Sequence, residues 1–103
     1  MTAVAHGETD EAGVAEDGAL ALAASEGDRE AFASLLDRHY AAIHRLGWRL
    51  LGSGDEAEDL AQDVCVALAR RIGSYRGEAA FTTWLYRVVV NAARDRQRAA
   101  SRR

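Results

Sequence analysis

Two sets of polar residues are spaced so that a helix would gather each set on one side. At about 100° per residue, Thr83, Arg87, Asn91, Arg94 and Arg98 line up along one face, and Phe81, Trp84, Leu85, Val88, Val89 and Ala92 fall on another. Arginine brings positive charge in a planar fork that suits phosphate, and asparagine sets a donor beside an acceptor, which suits a base edge. Just ahead lies the loop Ser74-Tyr75-Arg76-Gly77-Glu78, where Gly73 and Gly77 permit tight backbone geometry. Such a loop can hold the Tyr75 ring near a pocket while Arg76 reaches a phosphate, or it can be a plain connector with Tyr75 tucked on the core. The second set is Asp59, Gln62, Asp63 and Val66, at spacings of three and four. A carboxylate stripe with one apolar point complements a basic partner helix through charge-assisted hydrogen bonds. The plainer reading is a solvated face whose acids favour the positive end of the helix dipole.

Other chemistry finds no support in the residues. His39 and His44 are five apart and do not share a helix face as a metal pair spaced by four would, so they are given no chemistry. The single cysteine, Cys65, has no disulfide or zinc partner in the chain and is expected as a buried thiol. Nucleophile-elbow, zinc-protease and phosphate-loop motifs are missing. No enzyme, metal or cofactor is expected. Trp84 borders the apolar side and is expected in the core, while Arg96 joins Arg87, Arg94 and Arg98 as a phosphate candidate.

The elements that position these residues are helices. The 103-residue chain has no proline, is rich in Ala and Leu and shows no strand-like alternation, which predicts one small all-α domain. Residues 1–17 are acidic and without an apolar period, and read as a disordered tail. A short helix is expected from Gly18 to Gly27. Asp28 then caps a helix to about Leu51, whose Phe32, Leu35, Leu36, Tyr40, Ile43, Leu46 and Leu50 form a stripe closed by Gly52. Asp55 and Glu58 have capping-box spacing and open a third helix to about Ile72, with Leu60, Val64, Leu68 and Ile72 on its core side. The fourth runs from about Ala79 into the high nineties. The expected architecture is a compact bundle of three main helices plus a short N-terminal one.

Net charge is −3, but its distribution matters more than its sum. Residues 1–17 hold five acids and no arginine, whereas from Arg87 onward six arginines face only Asp95. The longest apolar run is far short of a membrane span and the start lacks signal-peptide order, so a cytoplasmic protein without membrane association is expected.

Three segments together resemble region 2 of the extracytoplasmic-function (ECF) sigma factors of the sigma-70 family. They are GDREAFASLLDRHY at 27–40, DEAEDLAQDVCVALARR at 55–71 and SYRGEAAFTTWLYRVVVNAARDR at 74–96, and the likeness covers roughly residues 18–100. The resemblance implies a transcription-initiation domain. Asp59, Gln62, Asp63 and Val66 would dock on the clamp helices of the largest subunit of RNA polymerase core. The loop and last helix would recognise and help melt the promoter −10 element by capturing a base of the non-template single strand. Tyr75 would wall that base and Asn91 would read it, with Ser74, Arg76, Thr83, Arg87, Arg94 and Arg98 around them. An anti-sigma factor is the further partner implied. Cys65 stands where many relatives carry a large apolar residue. Residues 101–103 would begin the linker to region 4, which has no counterpart in this sequence. The rival reading is a helical module that binds another protein, such as an anti-sigma factor, without reading DNA. DNA reading requires the Arg87, Asn91, Arg94 stripe to be accessible and basic; protein binding requires an exposed contiguous apolar patch.

Overall fold

A computed structural model describes residues 11–102 of the chain. Among them are four α-helices and no strand: α1 (Glu11–Ser25), α2 (Arg29–Leu51), α3 (Gly54–Arg71) and α4 (Phe81–Ser101), with a 3₁₀ turn at Ile72–Ser74. The all-α bundle expected from the sequence is what forms.

Local chemistry sets most boundaries. Asp28 takes extended dihedrals and its carboxylate accepts the Ala31 N–H at 3.0 Å, starting α2 as expected. Gly52 ends that helix at φ 80°, a left-handed conformation, with its N–H donating to Trp48 O at 2.7 Å. The start of α3 differs from the sequence expectation. Ser53, not Asp55, is the N-cap, and its hydroxyl accepts the Glu56 N–H at 3.3 Å. The box spacing therefore runs from Ser53 to Glu56, and Asp55 lies within the first turn, where it favours the helix dipole.

The start of α1 requires a larger correction. Residues 11–17, assigned to the acidic tail, form the first two turns of α1; the rest of that assignment, residues 1–10, lies outside the described residues. These turns lack an apolar stripe and are held instead by charge. Asp17, 4% exposed, accepts from Arg38 Nε at 2.7 Å, Glu16 pairs with Arg38 Nη1 at 3.1 Å, and Arg38 Nη2 donates to Gly13 O at 3.3 Å. The hydrogen bond that Arg38 donates to Asp17 holds the guanidinium above its ordinary pKa.

The core is built by the predicted stripes. Leu35 and Ile43 of α2, Leu60, Val64 and Leu68 of α3, and Val89 of α4 are essentially inaccessible, and burial of each such side chain is worth about 1.5–3 kcal/mol. Helices α2 and α3 approach closely at Gly47, where a Cβ would lie 3.1 Å from Leu60 Cδ2. Helix α4 crosses this pair through Phe81, Leu85, Val88, Val89 and Ala93. No helix among the described residues is long and apolar enough to cross a membrane.

Candidate nucleic-acid interface

Helix α4 divides as its periodicity dictates. Thr83, Arg87, Asn91, Arg94 and Arg98 are all exposed, on the side opposite the buried Phe81, Leu85, Val88, Val89 and Ala93. Arg87 and Arg94 have no carboxylate within ion-pair distance among the described residues. Arg98 differs, since its Nη2 sits 2.5 Å from Asp95 Oδ1, one turn back. Two uncommitted guanidiniums flank the Asn91 amide, and a third is partly neutralised.

The sequence left Tyr75 either facing a base or tucked on the core, and the second arrangement is the one that forms. Tyr75 is 4% exposed and belongs to the core. Its hydroxyl donates to Ala79 O at 2.8 Å, and its ring lies edge-on to Phe81 and Trp84 at 6.0 and 5.5 Å. A ring enclosed this way presents no face to a base, so the role of base wall assigned to Tyr75 does not hold in this geometry. Apolar burial and the negative charge of Asp17 both raise the phenol above its usual pKa. Ser74 and Arg76 remain exposed: the Ser74 hydroxyl donates to Arg71 O at 2.7 Å and Arg76 Nη1 to Gly73 O at 3.3 Å. Of the two loop glycines, only Gly77, at φ 81°, uses the left-handed region that glycine favours. Trp84 is half-buried in the aromatic cluster, as its helical angle predicts.

On α3, Asp59, Gln62, Asp63 and Val66 are exposed on one face, and at 52% exposure Val66 is an apolar point among the acids. Both acids already have a partner. Arg96 of α4 places Nη1 2.6 Å from Asp63 and Nη2 3.7 Å from Asp59, so its charge is directed at α3 and away from the Arg87 stripe. Its helical angle, on the core side of α4, explains this, and it removes Arg96 from the phosphate candidates. Arg96 Nε is buried without a hydrogen-bond partner. Cys65, on the same helix, is half-buried, and apolar burial raises its thiol pKa.

Sequence reasoning passed over His39. Its ring packs on Phe81 at 5.3 Å, and Nε2 lies 3.0 Å from Asp17 Oδ1, out of hydrogen-bond alignment. No local signal pairs His39 with Asp17, because the two meet only when α1 folds over α2. Next to His39, between α2 and α4, a shallow apolar groove of about 160 Å³ is lined by Ile43, Leu46, Leu85 and Val89. Tyr86, 54% exposed, stands at its edge.

Comparison with known proteins accords with this architecture. Residues 35–103 match the family model for sigma-70 region 2. The chain belongs to the sigma-70 region 2 family, and the relatives it matches place it with the ECF type. It is 42% identical over 84 residues to the ECF RNA polymerase sigma factor SigM of Mycobacterium tuberculosis, which is 82% of this chain and 43% of that protein. It is 40% identical over 73 residues to SigW of Bacillus subtilis, covering 71% and 39%. Over 87 residues it is 37% identical to the ECF sigma-E factor of Escherichia coli K12, covering 84% and 45%. The chain thus spans less than half the length of these curated relatives. Among solved structures, it is similar to an engineered region 2 of sigmaE determined by NMR in complex with GTAAAA, with a TM-score of 0.75 and 32% identity over 84% of this chain and 90% of that one.

Proposed function

We propose that this domain serves bacterial transcription initiation as a sigma factor region 2, docking on RNA polymerase core and reading the non-template strand of the promoter −10 element. The observation that carries the reading is the α4 face on which uncommitted Arg87 and Arg94 flank Asn91, directly opposite the core. The guanidiniums hold the sugar-phosphate backbone without regard to sequence, and the amide reads a base edge. That a region 2 of sigmaE was solved with GTAAAA supports single-stranded DNA as the ligand class. With Tyr75 in the core, a captured base would be held by the exposed loop groups of Ser74 and Arg76, by Thr83 and by Asn91. Docking on the polymerase clamp helices is assigned to Asp59, Gln62, Asp63 and Val66. Since Arg96 occupies Asp59 and Asp63, a basic partner residue would exchange one exposed ion pair for another, at little net cost.

The test is fluorescence binding of the full chain to single-stranded GTAAAA-type oligonucleotides, with every base varied in turn. Preference confined to one or two positions is expected. Equal affinity for all sequences would remove the base-reading role. A second reading, binding of an anti-sigma factor, draws support from the apolar groove beside Tyr86. It predicts that Tyr86→Ser weakens a cognate protein partner while leaving oligonucleotide binding unchanged.

A further inference from the structure

We propose that helix α1 is part of the base-reading apparatus, and that Asp17 is the positioning residue that fixes the loop over residues 75–80 and the first turn of α4. The inference rests on the reading above for its functional consequence, though not for its geometry. Helix α1 precedes the stretch, 35–103, that matches the family model. It nevertheless covers the loop.

Asp17 is the one buried charged residue among those described. Removing a carboxylate from water is unfavourable unless partners replace the solvent. Here Arg38 Nε, at 2.7 Å, supplies the partner. An apolar residue would join α1 to α2 without that cost but would tolerate sliding, whereas a hydrogen-bonded buried charge admits one arrangement. That arrangement extends to the loop along two routes. One runs from Asp17 to the adjacent imidazole of His39, whose ring packs on Phe81, the first residue of α4. Phe81 in turn packs on Tyr75 and Trp84. The other is direct: Leu22, five residues beyond Asp17 on α1, lies where a Cβ on Gly77 would meet its Cδ2 at 3.7 Å. Tyr75 also feels the Asp17 charge, which adds to burial in keeping its phenol neutral.

This support matters because the start of α4 has little of its own. Ala80, at the N-cap position, offers no side-chain hydrogen bond, and only the Thr83 and Trp84 amides close onto Ala80 O, at 3.0 and 3.1 Å. Beyond the bond from the Tyr75 hydroxyl to Ala79 O, a loop ending on an uncapped helix takes its geometry from its neighbours. Asp17, His39 and Leu22 are those neighbours.

The experiment combines amide hydrogen exchange with the base scan on the full chain carrying Asp17→Asn. This variant keeps the shape and removes the charge, and the Arg38 side chain, 31% exposed, can turn to water while keeping its pair with Glu16. Exchange at Tyr75, Thr83 and Trp84 is expected to quicken at least tenfold, with less than twofold change at Val64 and Leu68 in α3. Discrimination between preferred and other bases should fall at least fivefold, while affinity for a non-preferred oligonucleotide stays within twofold. Leu22→Ser carries the same test if Asp17→Asn fails to fold, because Leu22 is 44% exposed and its loss spares the core. Unchanged exchange at Tyr75 in the folded variants, or exchange accelerated equally in every helix, would overturn the proposal, as would full base discrimination retained. Absence of base preference in the unmodified chain would instead count against the proposed function, and the exchange comparison would still decide the positioning role.

Discussion

Arg87→Ala is expected to leave the fold intact and to change how DNA binding responds to salt. Arg87 is exposed and forms no ion pair among the described residues, so its removal breaks nothing that stabilises the bundle. The cations available to a single strand are Arg76 in the loop with Arg87 and Arg94 on α4, while Arg98 is largely engaged by Asp95. Three phosphate contacts at about 0.7 released counterions each give a slope of about −2 for log affinity against log salt. Affinity should then fall roughly 20-fold between 50 and 200 mM salt in the unmodified chain, and about sevenfold in Arg87→Ala, whose slope is about −1.4. The base preference should be unaltered. Asn91→Ala should do the reverse, costing about 1–3 kcal/mol for the preferred base, flattening preference at that one position and leaving the slope unchanged. Fluorescence anisotropy with a base-scanned oligonucleotide set, repeated across a salt series, separates the two effects. A slope in Arg87→Ala equal to that of the parent would refute the backbone role, and a uniform loss across all bases in Asn91→Ala would refute base reading.

Exchanging both Asp59 and Asp63 for Ala should abolish retention on a polymerase clamp-helix fragment while lowering stability by no more than about 1 kcal/mol, since both pairs with Arg96 are exposed; pull-down and thermal melts check each half. Tyr75→Phe should cost about 0.5–1.5 kcal/mol through loss of the bond to Ala79 O, measured by urea titration. The same variant tests a pH effect: because the folded phenol is raised, its contribution is complete below the unfolded value of about 10 and is lost as pH climbs through the folded one. Alkaline unfolding should therefore begin later in Tyr75→Phe than in the parent, relative to each protein's own stability at pH 7. The raised Cys65 thiol should react with iodoacetamide at pH 8 several-fold more slowly than in the urea-unfolded chain, and equal rates would show the sulfur to be freely accessible.

Much of this protein could be read from order and spacing alone. The stripe from Phe32 to Leu50, the Asp28 cap and the Gly52 stop place α2 because each acts within a turn or two of itself. For the same reason the sequence separates the exposed Arg87, Asn91 and Arg94 from the buried Leu85, Val88 and Val89: helical geometry fixes the angle between neighbours once the helix exists. Even the direction of Arg96, on the core side of α4, follows from that angle; that Asp63 waits there does not. Tertiary packing decided the rest. Asp17 and Arg38 are 21 residues apart, so the charge that folds residues 11–17 into α1 looked like part of a solvated acidic run. Tyr75 in an exposed-looking loop could turn outward to a base or inward to the core. It turned inward because Phe81 and Trp84 offer its ring an aromatic wall and Ala79 offers its hydroxyl an acceptor. Periodicity is a property of the local backbone and is written in consecutive residues, whereas a buried ion pair or a filled cavity depends on which distant surfaces meet.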